Sequence, residues 1–180
     1  MKTIRNFIAL FVAAFALYSC NTSPSLQQYY VDNAENPNFI SVDIPASILK
    51  VSEIDMTPEQ KSAYESLKKF NVLAFRLTEE NKSEFDGEKE KVSQILKNDV
   101  YEELMRINTG NSRGVVKILG DEESIDEVIL YGNDDEMGFA LVRVLGEDMR
   151  PENIMQLMEV IQKGNLDENG LEPLKGFFNK

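Results

Sequence analysis

The sequence predicts an α+β fold, an antiparallel or mixed sheet of about five to six strands with helices mainly on one face, and three observations point to it. Thr57-Pro58-Glu59-Gln60 carries a helix start: an N-cap threonine, a proline at the first helical position and a glutamine three residues after the cap. Residues 71–77 read as a strand that is apolar on both faces, with Leu73, Phe75 and Leu77 against Val72 and Ala74, and so as a central strand. From Gly114 onward, short apolar runs alternate with turn residues at the spacing of a β-meander.

Taken in order, residues 21–37 are rich in Asn, Ser, Gln and Pro without a sustained apolar period, and read as a tether whose Tyr29-Tyr30 pair packs on the domain or lies near lipid headgroups. Residues 40–44 alternate as a half-buried strand that Pro45 ends, and 46–51 fit a short helical turn. The capped helix runs over 58–69 and buries Ala63, Tyr64 and Leu67. A second helix spans 85–96 with Val92, Ile95 and Leu96 as its stripe, while residues 100–107 fit either a strand or a continuation of that helix. Strands follow at 114–119, 125–131 and 139–145, separated by turns at 108–112, 120–123 and 132–136. A closing helix over 151–162 shows Ile154, Leu157, Met158 and Ile161 at i, i+3, i+4 and i+7, with Gly164 as its stop.

The first twenty residues have another character. Lys2 and Arg5 precede an apolar run from Phe7 to Leu17, and no acid interrupts it: the layout of a secretory signal peptide. Leu17-Tyr18-Ser19-Cys20 resembles the lipobox of bacterial lipoproteins, which implies acylation of Cys20, with palmitate or a similar chain, and attachment to a membrane through that lipid. The chain then divides into a leader (1–19), a lipidated tether (20–37), one α+β domain (38–164) and a tail (165–180) whose Leu171, Leu174, Phe177 and Phe178 dock on the domain.

Charge and composition exclude several function classes. The net charge is −12, and loss of the leader would remove two cations and no acid, so nucleic acid is not an expected partner. With no histidine and Cys20 as the lone cysteine there is no Ser-His-Asp or Cys-His nucleophile system, no Cys/His zinc site and no internal disulfide. Asn165-Leu166-Asp167-Glu168-Asn169-Gly170 has the opening of a calcium loop, but the twelfth position is Gly176 rather than a glutamate. The acidic clusters 121–123 and 134–136 would hold a cation jointly only if their turns met at one edge of the sheet. Arg76, Lys117 and Arg143 lie inside strands, as sheet residues paired to acids or as the lining of an anion-binding patch. No cofactor, metal site or catalytic residue is expected.

The lipobox, Phe39-Ile40-Ser41-Val42-Asp43-Ile44-Pro45, Tyr101-Glu102-Glu103-Leu104-Met105 and Leu141-Val142-Arg143-Val144-Leu145-Gly146-Glu147-Asp148 together resemble a family of Bacteroidetes lipoproteins known as domain of unknown function 4252. The resemblance implies a single domain in the cell envelope and carries over no activity, catalytic residue or ligand. In such bacteria surface export goes with an acidic cluster just after the lipidated cysteine; residues 21–25 have none, which implies a periplasm-facing anchor. The leading expectation is a non-enzymatic envelope lipoprotein that binds a protein partner in sensing or assembly, through the sheet face or an edge strand. A carboxylate- or metal-dependent hydrolase or ligand-binding lipoprotein is the alternative, marked by a deep pocket of converging carboxylates rather than a flat sheet with an apolar patch.

Overall fold

The computed structural model describes residues 25–50, 55–120 and 124–150, together with 153, 154, 156, 159, 160, 165 and 166. The expected leader, Cys20, the acidic cluster 121–123, the calcium-type loop beyond Leu166 and the apolar tail lie outside the described residues. So do Leu157, Met158 and Ile161 of the closing helix; residues 154, 156, 159 and 160 are helical, with Ile154 packed on the core and Val160 buried.

Alternating apolar residues make a strand, and strands with two apolar faces need cover on both. Six strands, β1 (Phe39–Pro45), β3 (Leu67–Arg76), β4 (Glu102–Thr109), β5 (Ser112–Gly120), β6 (Ile125–Asp134) and β7 (Gly138–Met149), form one antiparallel sheet in the order β1-β3-β7-β6-β5-β4. The last four are the expected meander, and β3 is central as expected, paired to β1 and β7. A short β2 (Leu49–Lys50) pairs separately with β8 (Asn165–Leu166). Residues 100–107, left open by the sequence, end in a strand: β4 pairs with β5 across a tight turn in which Gly110 takes a φ of 58°. The turn expected at 132–136 starts later, because Gly132 to Asp134 still pair with β7. The Asp134 carboxylate accepts the backbone N–H groups of Glu136 and Met137 and closes the reversal there. Gly138 follows at φ 113°, where a Cβ would run into the carbonyl oxygen of Phe75, so no other residue fits without moving β3.

One face of the sheet is aromatic. Leu73 and Phe75 of β3 and Phe139 and Leu141 of β7 lie on it, fully buried beneath α1 (Leu26–Asn33) and α3 (Lys82–Leu96). Phe75 stacks on Phe139 at 5.5 Å and meets the edge of Phe39 at 5.1 Å. Helix α1 corrects the reading of 20–37 as a tether. Ser25 caps it by accepting the Gln28 N–H, and Leu26, Tyr29, Tyr30 and Asn33, at i, i+3, i+4 and i+7, are all buried. The Tyr30 hydroxyl donates to the carbonyl of Leu141 at 2.7 Å, with the carbonyl of Asn71 at 3.1 Å, while the Tyr29 hydroxyl donates to Glu88 of α3. Tyr30→Phe is therefore expected to cost about 1 kcal/mol, a fall in melting temperature of roughly 2 to 4 °C. An unchanged melting curve would mean that α1 does not belong to the folded unit.

The other face is aliphatic, with Val72, Val116, Ile118, Val128 and Val144 packed against Ile44, Ile48, Leu49 and Ala63. Its helix, α2 (Pro58–Glu65), has the predicted capping box: Thr57 Oγ1 accepts the Gln60 N–H, and Gln60 Oε1 accepts the Thr57 N–H, each at 3.2 Å. It ends four residues before the expected Lys69, because Leu67 and Lys69 already pair with Gly146 and Leu145 of β7. Ladder bonds and burial of Leu67 outweigh another turn of helix. Of the helices expected to lie mainly on one face, α3 covers the aromatic face, together with the unexpected α1, whereas α2 and Ile154 of the closing helix pack on the aliphatic one.

Candidate functional site

The helices do not cover the whole sheet, and where cover ends two surfaces remain open. The first is a groove of about 380 Å³ between α3 and the aromatic face of β4, β5 and β6. Pleating puts Arg113, Val115 and Lys117 of β5 on that face, beside Asn108, Arg106 and Glu103 of β4 and opposite Asn133, Tyr131 and Ile129 of β6. Lys89 and Lys97 border the groove from α3. Five of the chain's 19 cations thus meet two carboxylates, Glu90 and Glu103, in a protein of net charge −12.

Some of this charge is neutralised locally. Arg106 makes two hydrogen bonds to Glu103, at 2.6 and 3.0 Å, which hold the glutamate below its usual pKa and raise that of the arginine. Lys89 lies 4.8 Å from the Phe85 ring centre, 3.2 Å from Asp86 and 3.7 Å from Asp135. Lys117 Nζ donates to the carbonyl of Tyr101. Among the described residues Arg113 and Lys97 form no ion pair. Tyr131 is only 7% exposed, and its buried hydroxyl has no hydrogen-bond partner. Burial pushes its pKa up to about 12; Asn133 lies near enough to offset part of that rise without reaching hydrogen-bond geometry.

Of the three strand cations expected to form a patch or pair with acids, the structure separates each from the others. Lys117 lines the groove. Arg143 is covered by α1: its guanidinium lies 5.3 Å from the Tyr30 ring centre and is ion-paired to Glu127, which is buried on β6. Burial opposes the charge on Arg143, and the hydrogen bond and charge of Glu127 more than offset it, so its pKa rises. Arg76, at the end of β3, is exposed. The acidic cluster 134–136 lies at the end of β6 opposite Ile125, and 121–123, with which it was expected to share an edge if at all, lies outside the described residues. Among the described residues no three carboxylates gather as a metal site.

The second open surface is the aliphatic face beyond α2. A row of apolar residues crosses the whole sheet in register, from Val42 through Val72, Val142, Leu130 and Val116 to Met105. It is buried at the β3 end, but Leu130 and Met105 are 38% and 39% exposed. The neighbouring row ends in Ala140, Gly132, Gly114 and Ile107, a shallow trough with Ile107 48% exposed at its rim. Strand β4 is one of the sheet's two edges, and all eight of its residues are exposed. A bulge between Glu103 and Met105 blunts its first part, leaving Met105 to Thr109 in regular geometry.

The profile of the family described as "Domain of unknown function (DUF4252)" matches residues 29–157, from α1 through β7. No curated protein and no solved structure matches the chain significantly.

Proposed function

The chain belongs to the DUF4252 family, and from that premise we propose that it is a non-enzymatic protein-interaction module, held at a bacterial envelope by lipid on Cys20, that receives an extended segment of a partner along β4. The apolar row that runs on into exposed Leu130 and Met105 carries the reading. A monomer gains nothing by leaving such a row uncovered beside an edge whose backbone groups lack a ladder partner. A strand added at Met105 to Thr109 would satisfy those groups, and its alternate side chains would continue the row over the trough of Gly114 and Gly132. The partner this fits is a protein segment alternating apolar and polar residues.

The test is affinity capture from the native envelope with wild type and Ile107→Lys. The substitution falls on an exposed position, so stability should change by less than about 0.5 kcal/mol while a stoichiometric partner is lost from the eluate. Equal recovery of every protein by the two forms would overturn the reading. The anchor is tested separately: Cys20→Ala is expected to move the protein from the membrane fraction to the soluble one, or to leave it as larger precursor, since stable attachment takes about 0.8 kcal/mol for each buried CH₂ over more than one acyl chain. Identical fractionation and migration of the two forms would remove the lipid from the proposal.

A further inference from the structure

We propose that the groove between α3 and β4-β5-β6 is a binding site for a phosphate group, borne by a small organic phosphate or by a lipid headgroup. Cations on an acidic protein are stabilised most where they sit beside carboxylates, as Arg106 and Lys89 do, yet the Arg113 guanidinium and the Lys97 ammonium in the same lining have no ion-pair partner among the described residues. Arg113 and Lys117 stand four residues apart on one face of β5, roughly 13 Å along the strand, with Val115 midway between them and Arg106 beside it on β4. Near neutral pH a phosphate monoester carries a charge of roughly −1.5 to −2 on three acceptor oxygens, and a diester headgroup a single charge on two, so either can engage more than one of these donors.

Asn133 and Asn108 add side-chain amides to the lining. Neutral donors beside the cations are what an oxyanion needs for its remaining lone pairs. Leu96 and Val115 in the same lining give an organic body apolar contact, and a volume of about 380 Å³ has room for more than a bare ion. The site lies on the face opposite the apolar row, so the two surfaces can be occupied together.

The experiment is calorimetric titration of the full chain, in neutral detergent at low salt, with glycerol 1-phosphate, with glycerophosphoglycerol (the deacylated headgroup of phosphatidylglycerol) and with glycerol. Saturable binding of at least one phosphate ester and none of glycerol is expected. Tighter binding of the monoester identifies a soluble phosphorylated compound, and tighter binding of the diester a lipid headgroup. Arg113→Gln combined with Lys117→Gln should weaken binding by about tenfold or more, whereas Lys61→Gln, on α2 across the sheet, should leave it unchanged. Should the double variant fail to fold by circular dichroism, Arg113→Gln and Lys97→Gln singly carry the same comparison. No saturable binding of either ester, or undiminished affinity in folded variants of the groove cations, would overturn the proposal.

Discussion

Phe75→Ala is expected to destabilise the protein by about 3 to 5 kcal/mol, a large part of the roughly 5 to 15 kcal/mol that holds an ordinary domain together. The ring is 0% exposed, and it is the hub of the aromatic face: Phe39 meets it edge-on, Phe139 stacks on it, and Phe85 of α3 lies 5.9 Å away. Truncation removes the transfer energy of a whole ring and leaves a cavity that three rings from different elements cannot close without leaving their own contacts. Val31→Ala is the comparison, since Val31 is 66% exposed on α1 and its loss should shift stability by less than about 0.5 kcal/mol. Urea midpoints displaced equally in the two variants would show that the aromatic cluster is not the core.

The second large effect concerns Arg143 and Glu127. Their side chains are 13% and 5% exposed, so both charges are nearly out of water and each depends on the other. Glu127→Ala should cost about 3 to 5 kcal/mol, because it leaves the guanidinium buried beneath Tyr30 with its Nε already without a hydrogen-bond partner. Combining Glu127→Leu with Arg143→Met should recover most of that loss, since an apolar pair of similar volume has no charge to desolvate. A double-mutant cycle reads the difference as a coupling energy. Strict additivity of the single effects would mean that the two side chains do not act as a buried pair.

Much of the fold was legible because it follows from local rules. The Thr57 capping box, the two apolar faces of β3 and the meander spacing each report on a few adjacent residues, and each corresponds to an element of the structure. Helix α1 escaped because its buried stripe is one leucine, two tyrosines and an asparagine, and the tyrosine hydroxyls are satisfied only by partners far along the chain, Leu141, Asn71 and Glu88. Its flanking Ser, Gln and Asn also suggested a linker. The end of α2 was misplaced for a related reason: Leu67 fits a helical stripe as well as a ladder, and only its pairing with Gly146 decides. The basic groove was legible in one residue alone, Lys117. Lys89, Lys97, Arg106 and Arg113 belong to three elements, and no periodicity links a helix surface to the pleat of two later strands. Strand register brings them together, and register is settled by pairing across the sheet.

The position of β7 next to β3 bears on how the protein reaches its native state. The β4-β5 hairpin closes between Thr109 and Ser112, and the turns on either side of β6 are also short, so the four-strand meander can assemble by zipping from its turns. Joining it to the β1-β3 pair is another matter, because Leu73 must find Leu141, 68 positions further along. The loop-closure entropy of that single contact is met before any of its neighbours can form. The expected rate-limiting event is therefore the docking of two preformed ribbons along the β3-β7 seam. Until it happens, β7 is an unprotected edge bearing Phe139 and Leu141, and the nascent chain has there a strand able to pair with a second molecule instead of its own β3.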